Sequence, residues 1–527
     1  LRIDQNLVIL NNNARSLANK IDCIPSSEHS DVNVLLGHFH GIVQECISKF
    51  VPQKCIKRNP KHPWYPREII QLTRRIKRLR KGRPLLSVAR SPLLVSLKCT
   101  LKAKMQEAKN FYFNNTLSRF MVENPTKFWK SINPKSSVQS CFLINDQSCS
   151  DSNTIAESFN NYFKSVFSRD DDTIPDYACN FVQSTIPDIT ISCSGVHNLI
   201  LKLDVTKSSG PDGIPNTFLR RYSEWCACYL TVIFNKSFAS ATVPILWKTA
   251  NVVSLFKSGN KQLIPNYRPI CLISASCKLL EHIIHKHIVE YLDANNLLSR
   301  CQQGFRAGFP TTTQLLEFTH DIATSLNKRG QTDTIFIDYS KAFDNVCHKK
   351  LLLKLSFFLK DSKLLGWIAD YLRSRSQFVS YIQVQSSPVE ITSGVPQGSV
   401  LGPLLFIIFI NDVVNVISGT PVNIRLYADD CVLYNCITTF QDQSVLNNVF
   451  LLFCDWSSKW QMPINYKKTV AMTFSNKKQP LSFSYNYNGS TLAHVSEFKY
   501  LGITFTHDLK WGKHVDQITC QALRKLR

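Results

Sequence analysis

The pattern of apolar and polar positions changes character near residue 195. Before it, helical spacing runs over Val34–Phe50, Arg67–Arg83 and Ser96–Val122, the last rich in helix-favouring Ala, Lys, Met, Gln and Glu. Pro60, Pro63 and Pro66 separate the first two. Residues 131–190 are rich in Ser, Asn, Asp and Pro and read as a mostly loop-like connector with one helical patch, Thr154–Phe167. Beyond 195, helical patterns near 195–204, 216–240, 274–292 and 311–328 alternate with short β-rich runs. Those runs are Asn251–Phe256, Thr334–Phe336 leading into Asp338, Gln377–Ile382, Ile424–Ala428 and Cys431–Tyr434. This mixture predicts an α/β or α+β core. The 527 residues suffice for about three domain-sized units, and no fixed-period repeat is visible.

Charge adds a partner to this picture. Lys and Arg number 62 against 38 Asp and Glu, a net charge of +24. Nucleic acid or an acidic surface is the usual partner of such a chain. The excess concentrates in residues 51–109, with 17 Lys/Arg and two Glu, densest over Arg74–Arg83. A solvated helix face, an import signal or a phosphate-tracking arm all fit that run. The 18 cysteines form no C-x-x-C pair, so reduced thiols fit better than a disulfide framework or zinc knuckle. Val400–Ile410, the longest apolar run, is too short to span a bilayer, and no membrane partner is expected.

Three segments carry candidate chemistry. In Thr334-Ile-Phe-Ile-Asp-Tyr-Ser-Lys-Ala-Phe-Asp344 a β run leads straight into Asp338, at an open strand end where a carboxylate can meet a metal or simply cap a turn. In Tyr427-Ala-Asp-Asp430 apolar runs flank two aspartates, which predicts a hairpin with both carboxylates at its tip. Adjacent like charges repel, and a divalent cation removes that cost. Oxygen-only ligands select Mg²⁺ or Mn²⁺ over zinc. In Ser393-Gly-Val-Pro-Gln-Gly-Ser-Val-Leu-Gly-Pro403 the glycines permit close backbone approach, Gln397 offers an amide to a base or sugar, and an apolar helix over 404–415 follows.

In this order, the three segments resemble the palm motifs of reverse transcriptases. Asn465-Tyr-Lys-Lys-Thr469 and Phe498-Lys-Tyr-Leu-Gly502 resemble the two motifs that follow in that family. Upstream, Lys207-Ser-Ser-Gly-Pro-Asp-Gly213, Asn266-Tyr-Arg-Pro-Ile270 and Gln303-Gly-Phe-Arg306 resemble fingers segments of non-LTR retrotransposons, closest to the jockey-like clade. The resemblance covers about 195–507. It implies an α+β right-hand polymerase with fingers over 195–330 and a palm over 331–507, the reverse transcriptase domain running over about 237–507. A basic, mainly helical linker (1–130) and the connector (131–194) would precede it, and 508–527 would begin a thumb.

The implied activity is RNA-directed DNA synthesis by two-metal nucleotidyl transfer, with an RNA template, a DNA primer or target and deoxynucleoside triphosphates as partners. Asp338 and Asp429 would hold two Mg²⁺ ions (Mn²⁺ as the alternative), with Asp430 in support. Arg268, with Lys257 or Lys261, would contact the triphosphate. Phe343 would be the steric gate against a ribose 2′-hydroxyl, and Gln397 and Gly398 would line the nucleotide and template side. Lys468 is the candidate proton donor to pyrophosphate, and Tyr500-Leu-Gly502 the candidate primer grip. His62-Pro-Trp-Tyr-Pro-Arg-Glu68 and Asn160-Asn-Tyr-Phe163 resemble the region between endonuclease and polymerase, so the chain is expected to be a fragment without the endonuclease and with a partial thumb. Cys347 stands where the family commonly has proline. Residence in nucleus and cytoplasm follows from the class. A group II intron-type maturase and a non-catalytic nucleic-acid-binding relic are the alternatives; intact Asp338, Asp429 and Asp430 weigh against the relic. The acidic triplet Asp170–Asp172 lies in a polar loop and is expected to be solvated.

Overall fold

The β-rich runs assemble into two five-stranded sheets. The computed structural model describes residues 31–50, 64–80, 92–132, 141–176, 185–487 and 489–526. In chain order the strands are β1 (Phe142–Ile144), β2 (Gln147–Cys149), β3 (Thr249–Phe256), β4 (Tyr267–Leu272), β5 (Gln331–Ile337), β6 (Arg375–Tyr381), β7 (Val384–Gln385), β8 (Val389–Ile391), β9 (Asn423–Tyr427), β10 (Asp430–Cys436), β11 (Val470–Ser475), β12 (Asn486–Tyr487), β13 (Ser490–Thr491), β14 (Ala493–His494), β15 (Glu497–Tyr500) and β16 (Ile503–Thr506). One sheet has the order β14-β11-β5-β10-β9, and the other β4-β3-β6-β7 with β8 also paired to β6. The chain divides into two units, residues 1–51 with 139–516, and residues 52–138 with 517–527. Both sheets belong to the first.

Three apolar clusters hold the first unit. The largest packs helices against one face of β5, β9, β10 and β11, and the helix Leu401–Ile410 sits inside it with every residue but Pro403 buried. Such an all-round apolar helix belongs in a core, which explains the long apolar run without a membrane. Among the described residues no helix is long and apolar enough to cross one. A second cluster places β1 and the helix Ser152–Ser165 against β3, β4 and β6. The third packs the helix Thr311–Asn327 on β5, β10 and β11, with Phe318 at its centre. The helix Val32–Phe50 adds Leu35, Phe39 and Val43 to the largest cluster, with Phe39 stacked on Trp225 at 5.5 Å.

Several local readings change. The connector contains the β1–β2 hairpin, whose turn Asn145–Asp146 supplies the two left-handed residues such a turn needs. The apolar helix expected over 404–415 is α-helical over Leu401–Ile410 and 3₁₀ over Asn411–Ile417. The expected helix Ser96–Val122 runs as Pro92–Phe111, a π-helical stretch Tyr112–Leu117, and Ser118–Glu123. The helix at Arg67 is described to Arg80; Lys81–Arg83, and His62 and Pro63, lie outside the described residues. The Asp170–Asp172 triplet is exposed to solvent, as expected, and is ion-paired as well. Lys349 pairs with Asp170 at 2.9 Å and Asp172 at 2.6 Å, and the buried Lys350 pairs with Asp171 at 3.0 Å. Two adjacent lysines on one helix end need acidic partners, and the triplet meets them.

Candidate active site

Register brings the aspartates together. β5 and β10 pair with Ile337 opposite Cys431, so one residue further Asp338 faces Asp430. In the β9–β10 hairpin Tyr427 pairs with Asp430, which leaves Ala428 and Asp429 as the turn. The expectation of both aspartates at the tip is corrected: Asp429 occupies the turn, and Asp430 opens the returning strand. The shift follows from support at Ala428, whose φ is +57°. The buried Gln302 accepts the Ala428 N–H at 2.9 Å and donates to the Ala428 carbonyl at 3.3 Å. Gly304 lies so close that a Cβ there would stand 2.2 Å from the Ala428 nitrogen. The Gln303-Gly-Phe-Arg306 motif is thus part of the clamp that sets the paired-aspartate turn.

Asp338 is held by the turn after the helix Phe440–Lys459. Its carbonyl accepts the Asn465 N–H at 2.7 Å, and its own N–H donates to Thr469 Oγ1 at 3.3 Å. Its Oδ2 is buried with no hydrogen-bond partner, and Lys468 Nζ stands 3.6 Å away. Removal from water, then the fields of neighbouring aspartates, push the Asp429 and Asp430 carboxyls up, Asp430 to about 6. The opposing fields are those of Arg268 and Lys257. Among the described residues no three His, Cys, Asp or Glu side chains already converge as a metal-ligand set. The donors nevertheless fit a hard divalent cation: all are carboxylate oxygens, one is a buried oxygen with no hydrogen bond, and like charge among them raises the Asp429 and Asp430 carboxyls despite the nearby cations.

The cations come from the second sheet and its hairpin. Arg268 pairs across β4–β3 with Leu255, and the Lys257 N–H donates to the Asn266 carbonyl at 2.9 Å where the hairpin loop begins. Partial desolvation, then Arg268 and Lys468, lower the Lys257 ammonium, with Asp338 opposing. The Lys261 ammonium lies 5.6 Å from the Phe256 ring centre. Sequence reading missed Lys341, three residues past Asp338, a half-buried ammonium that senses Asp344, Arg268 and Lys468.

Phe343 is half-buried, stacked on Phe406 at 4.4 Å and edge-on to Phe305 at 5.9 Å. Gln397 and Gly398 lie against β4. The Gln397 carbonyl accepts the Cys271 N–H at 2.8 Å, and a Cβ on Gly398 (φ +114°) would meet the Cys271 carbonyl oxygen at 2.6 Å. Only glycine permits that approach. Tyr500 is buried, its hydroxyl accepting from Gln314 at 3.0 Å.

Residues 257–505 match the family model described as reverse transcriptase (RNA-dependent DNA polymerase). The RNA-directed DNA polymerase from mobile element jockey of Drosophila funebris is 31% identical over 343 residues, 64% of this chain and 37% of that protein. Its counterpart in Drosophila melanogaster is 29% identical over 358 residues, 67% of this chain and 39% of that protein. The probable RNA-directed DNA polymerase from transposon X-element of Drosophila melanogaster is 29% identical over 335 residues, 63% of this chain and 37% of that protein. The chain therefore aligns with less than two-fifths of the length of these relatives. Residues 257–505 thus match the reverse transcriptase family model, and the chain is similar to the polymerases of jockey-type mobile elements.

Proposed function

We propose that the chain is the RNA-directed DNA polymerase part of a non-LTR retrotransposon, extending a DNA 3′-hydroxyl on an RNA template with deoxynucleoside triphosphates. The observation that carries this reading is the register that sets Asp338 opposite Asp430, with Asp429 in the adjoining turn and Arg268, Lys257 and Lys468 around them. Asp338 and Asp429 would hold Mg²⁺, or Mn²⁺ in its place, with Asp430 in support. The cation would supply charge neutralisation and a lowered pKa at an attacking hydroxyl, the usual contribution of divalent metals to in-line phosphoryl transfer.

The chain's own groups do the rest. Arg268 presents a permanent forked charge to the triphosphate, and Lys257 a second cation. Lys341, between Arg268 and Asp344 in the charge pattern, is a third. Lys468 holds a proton beside Asp338, within reach of a leaving phosphate. Phe343 offers the edge of a ring braced by Phe406, a rigid stop against an added 2′-hydroxyl. Gly398 lets the loop backbone pack directly on the Cys271 carbonyl of β4, which fixes the position of Gln397 beside the nucleotide and template side.

Primer extension on poly(rA)/oligo(dT) with Mg²⁺ tests the reading. Wild type extends, and Asp429→Ala falls by roughly 10²- to 10³-fold or more, the scale on which a single preorganised electrostatic group contributes. Template binding without extension by wild type would overturn the catalytic reading in favour of a binding relic.

A further inference from the structure

The smaller unit carries a groove that the polymerase reading leaves unused. The helix Pro92–Phe111 sets Lys98, Lys102, Met105 and Lys109 at successive spacings of four, three and four, a single stripe along one face. Lys98 to Lys109 covers about 16 Å of helix at the α-helical rise. Trp64 and Tyr65 close the other side of a cavity of about 350 Å³. The Tyr65 hydroxyl reaches the Met105 sulfur at 3.8 Å. Trp64 is also the hub of an aromatic group, with its ring centre 5.9 Å from Tyr112 and 5.8 Å from Phe113. The π-helical stretch at Tyr112 turns the second pair of rings toward it.

Acidic groups are kept away from this face. Of the two glutamates in residues 51–109, Glu68 is ion-paired with Lys104 at 2.7 Å. Glu107, two residues from Met105, falls on the opposite side of the helix. The groove therefore combines flat aromatic rings with a row of uncompensated ammonium groups. A protein core has no use for three exposed lysines around a tryptophan, and a purely solvated charge run has no use for the rings.

We propose that this groove binds single-stranded nucleic acid, the lysine stripe following the phosphates and Trp64 with its aromatic neighbours stacking an unpaired base. Rings plus a basic track are what sequence-tolerant single-strand binding requires. A duplex hides its base faces, and an anionic membrane offers charge with no planar ring to stack. The proposal stands apart from the polymerase reading, because the binding needs neither the aspartates nor a metal.

The test uses the full chain and a short oligouridylate carrying photoreactive 4-thiouridine, beside the matching oligothymidylate and phosphatidylserine vesicles. Crosslinks on the wild-type chain map within residues 64–113. The K98Q/K102Q/K109Q variant keeps the aliphatic packing and the helix but removes three charges. The slope of log affinity against log salt then becomes shallower by about 2, at roughly 0.7 per phosphate contact on a single strand. Trp64→Leu lowers affinity by roughly 5- to 150-fold, the span of one stacked base, with the slope unchanged because no charge is lost. Equal effects on uridylate and thymidylate locate recognition in base and phosphate; a selective loss on RNA adds the 2′-hydroxyl. An unchanged slope with crosslinks confined to other segments overturns the proposal. So does a lysine variant that releases vesicles yet holds the oligonucleotide. An inactive polymerase with intact crosslinking at 64–113 leaves this groove standing and removes only the reading of the aspartate site.

Discussion

Asp344 shows what a single residue adds to the site. It is buried, and its Oδ1 accepts the Gln397 side-chain N–H at 2.8 Å. Burial pushes its carboxyl up to about 6, opposed by that hydrogen bond and by Lys341. Ser393 Oγ also donates to the Asp344 carbonyl at 2.7 Å, tying the two motifs together at the backbone. With its side-chain N–H turned to Asp344, Gln397 presents its side-chain oxygen Oε1 to a ligand. Asp344 is then a positioning residue, and its effect should run through Gln397. Single-nucleotide incorporation by D344L, Q397A and the double variant measures this. Each single change is expected to raise the KM for nucleotide, and the double variant to do little more than either, a coupling of about 1 kcal/mol. Additive losses, or a fall in kcat alone, would assign Asp344 to the fold. The sequence displayed Asp344 at the end of the first motif, but no periodicity distinguishes a carboxylate that faces a second motif from one that faces water. Lys341 was hidden for the same reason: its charge matters only because the fold sets it near Arg268.

Elements were more legible than their edges. The helices over 216–240, 274–292 and 311–328 appear within a few residues of where spacing places them, as Asn216–Arg221 and Ser223–Ala239, Ala275–Ala294 and Thr311–Asn327. β5 begins at Gln331, three residues before its apolar part, because Asp333 is buried and accepts from Gln331, Gln443, Thr473 and Tyr485. A strand start made of satisfied polar groups has no apolar signature. Glu281 is the parallel case in a helix. It is fully buried, and its Oε2 accepts the N–H groups of Val400 and Leu401 at 2.7 and 3.2 Å, while its Oε1 accepts the Tyr371 hydroxyl at 3.1 Å. The carboxylate thus caps the start of the apolar helix Leu401–Ile410 and fixes the end of the Pro-Gln-Gly loop. Glu281→Leu strands these donors, and the Cys277 thiol that also donates to Oε1 at 3.4 Å, and is expected to cost about 3 kcal/mol or more in unfolding free energy by urea denaturation. Glu281→Gln, which keeps an acceptor, should lose less; equal losses would mean that side-chain volume and not the cap sets the stability.

At the scale of the whole molecule, one buried charge ties stability to pH. Lys354 is fully buried in the helix His348–Phe358, beside Asp412, and donates to the Phe409 carbonyl at 2.6 Å. Its ammonium lies 3.6 Å from the Trp460 ring centre, and the Trp456 indole N–H donates to the other oxygen of Asp412 at 3.1 Å. Desolvation lowers its pKa to about 8 from 10.5, against the pull of Asp412 and with the push of Lys459. Below pH 8 both folded and unfolded chains hold the proton, and the full cost of burying the charge is present. Between about 8 and 10.5 the unfolded chain binds the extra proton, so stability rises with pH. The 2.5-unit difference corresponds to about 3 kcal/mol. Buried acids oppose this rise. Burial raises the Cys226 and Cys454 thiols above their ordinary 9 and the Tyr339 and Tyr371 phenols above their ordinary 10. Their protonated forms are favoured by folding, so their contribution is lost as pH climbs past those ordinary values. Wild type should therefore gain stability from pH 7.5 to about 9 and lose it above. The K354M/D412L variant removes the charge and its partner together, so no lone carboxylate is left buried. It should show the loss above pH 9 without the earlier gain, and the difference between the two unfolding curves isolates the lysine. A difference that stays flat from pH 7.5 to 10 would show that Lys354 keeps its proton throughout, with Asp412 and the indole rings holding the charge in full.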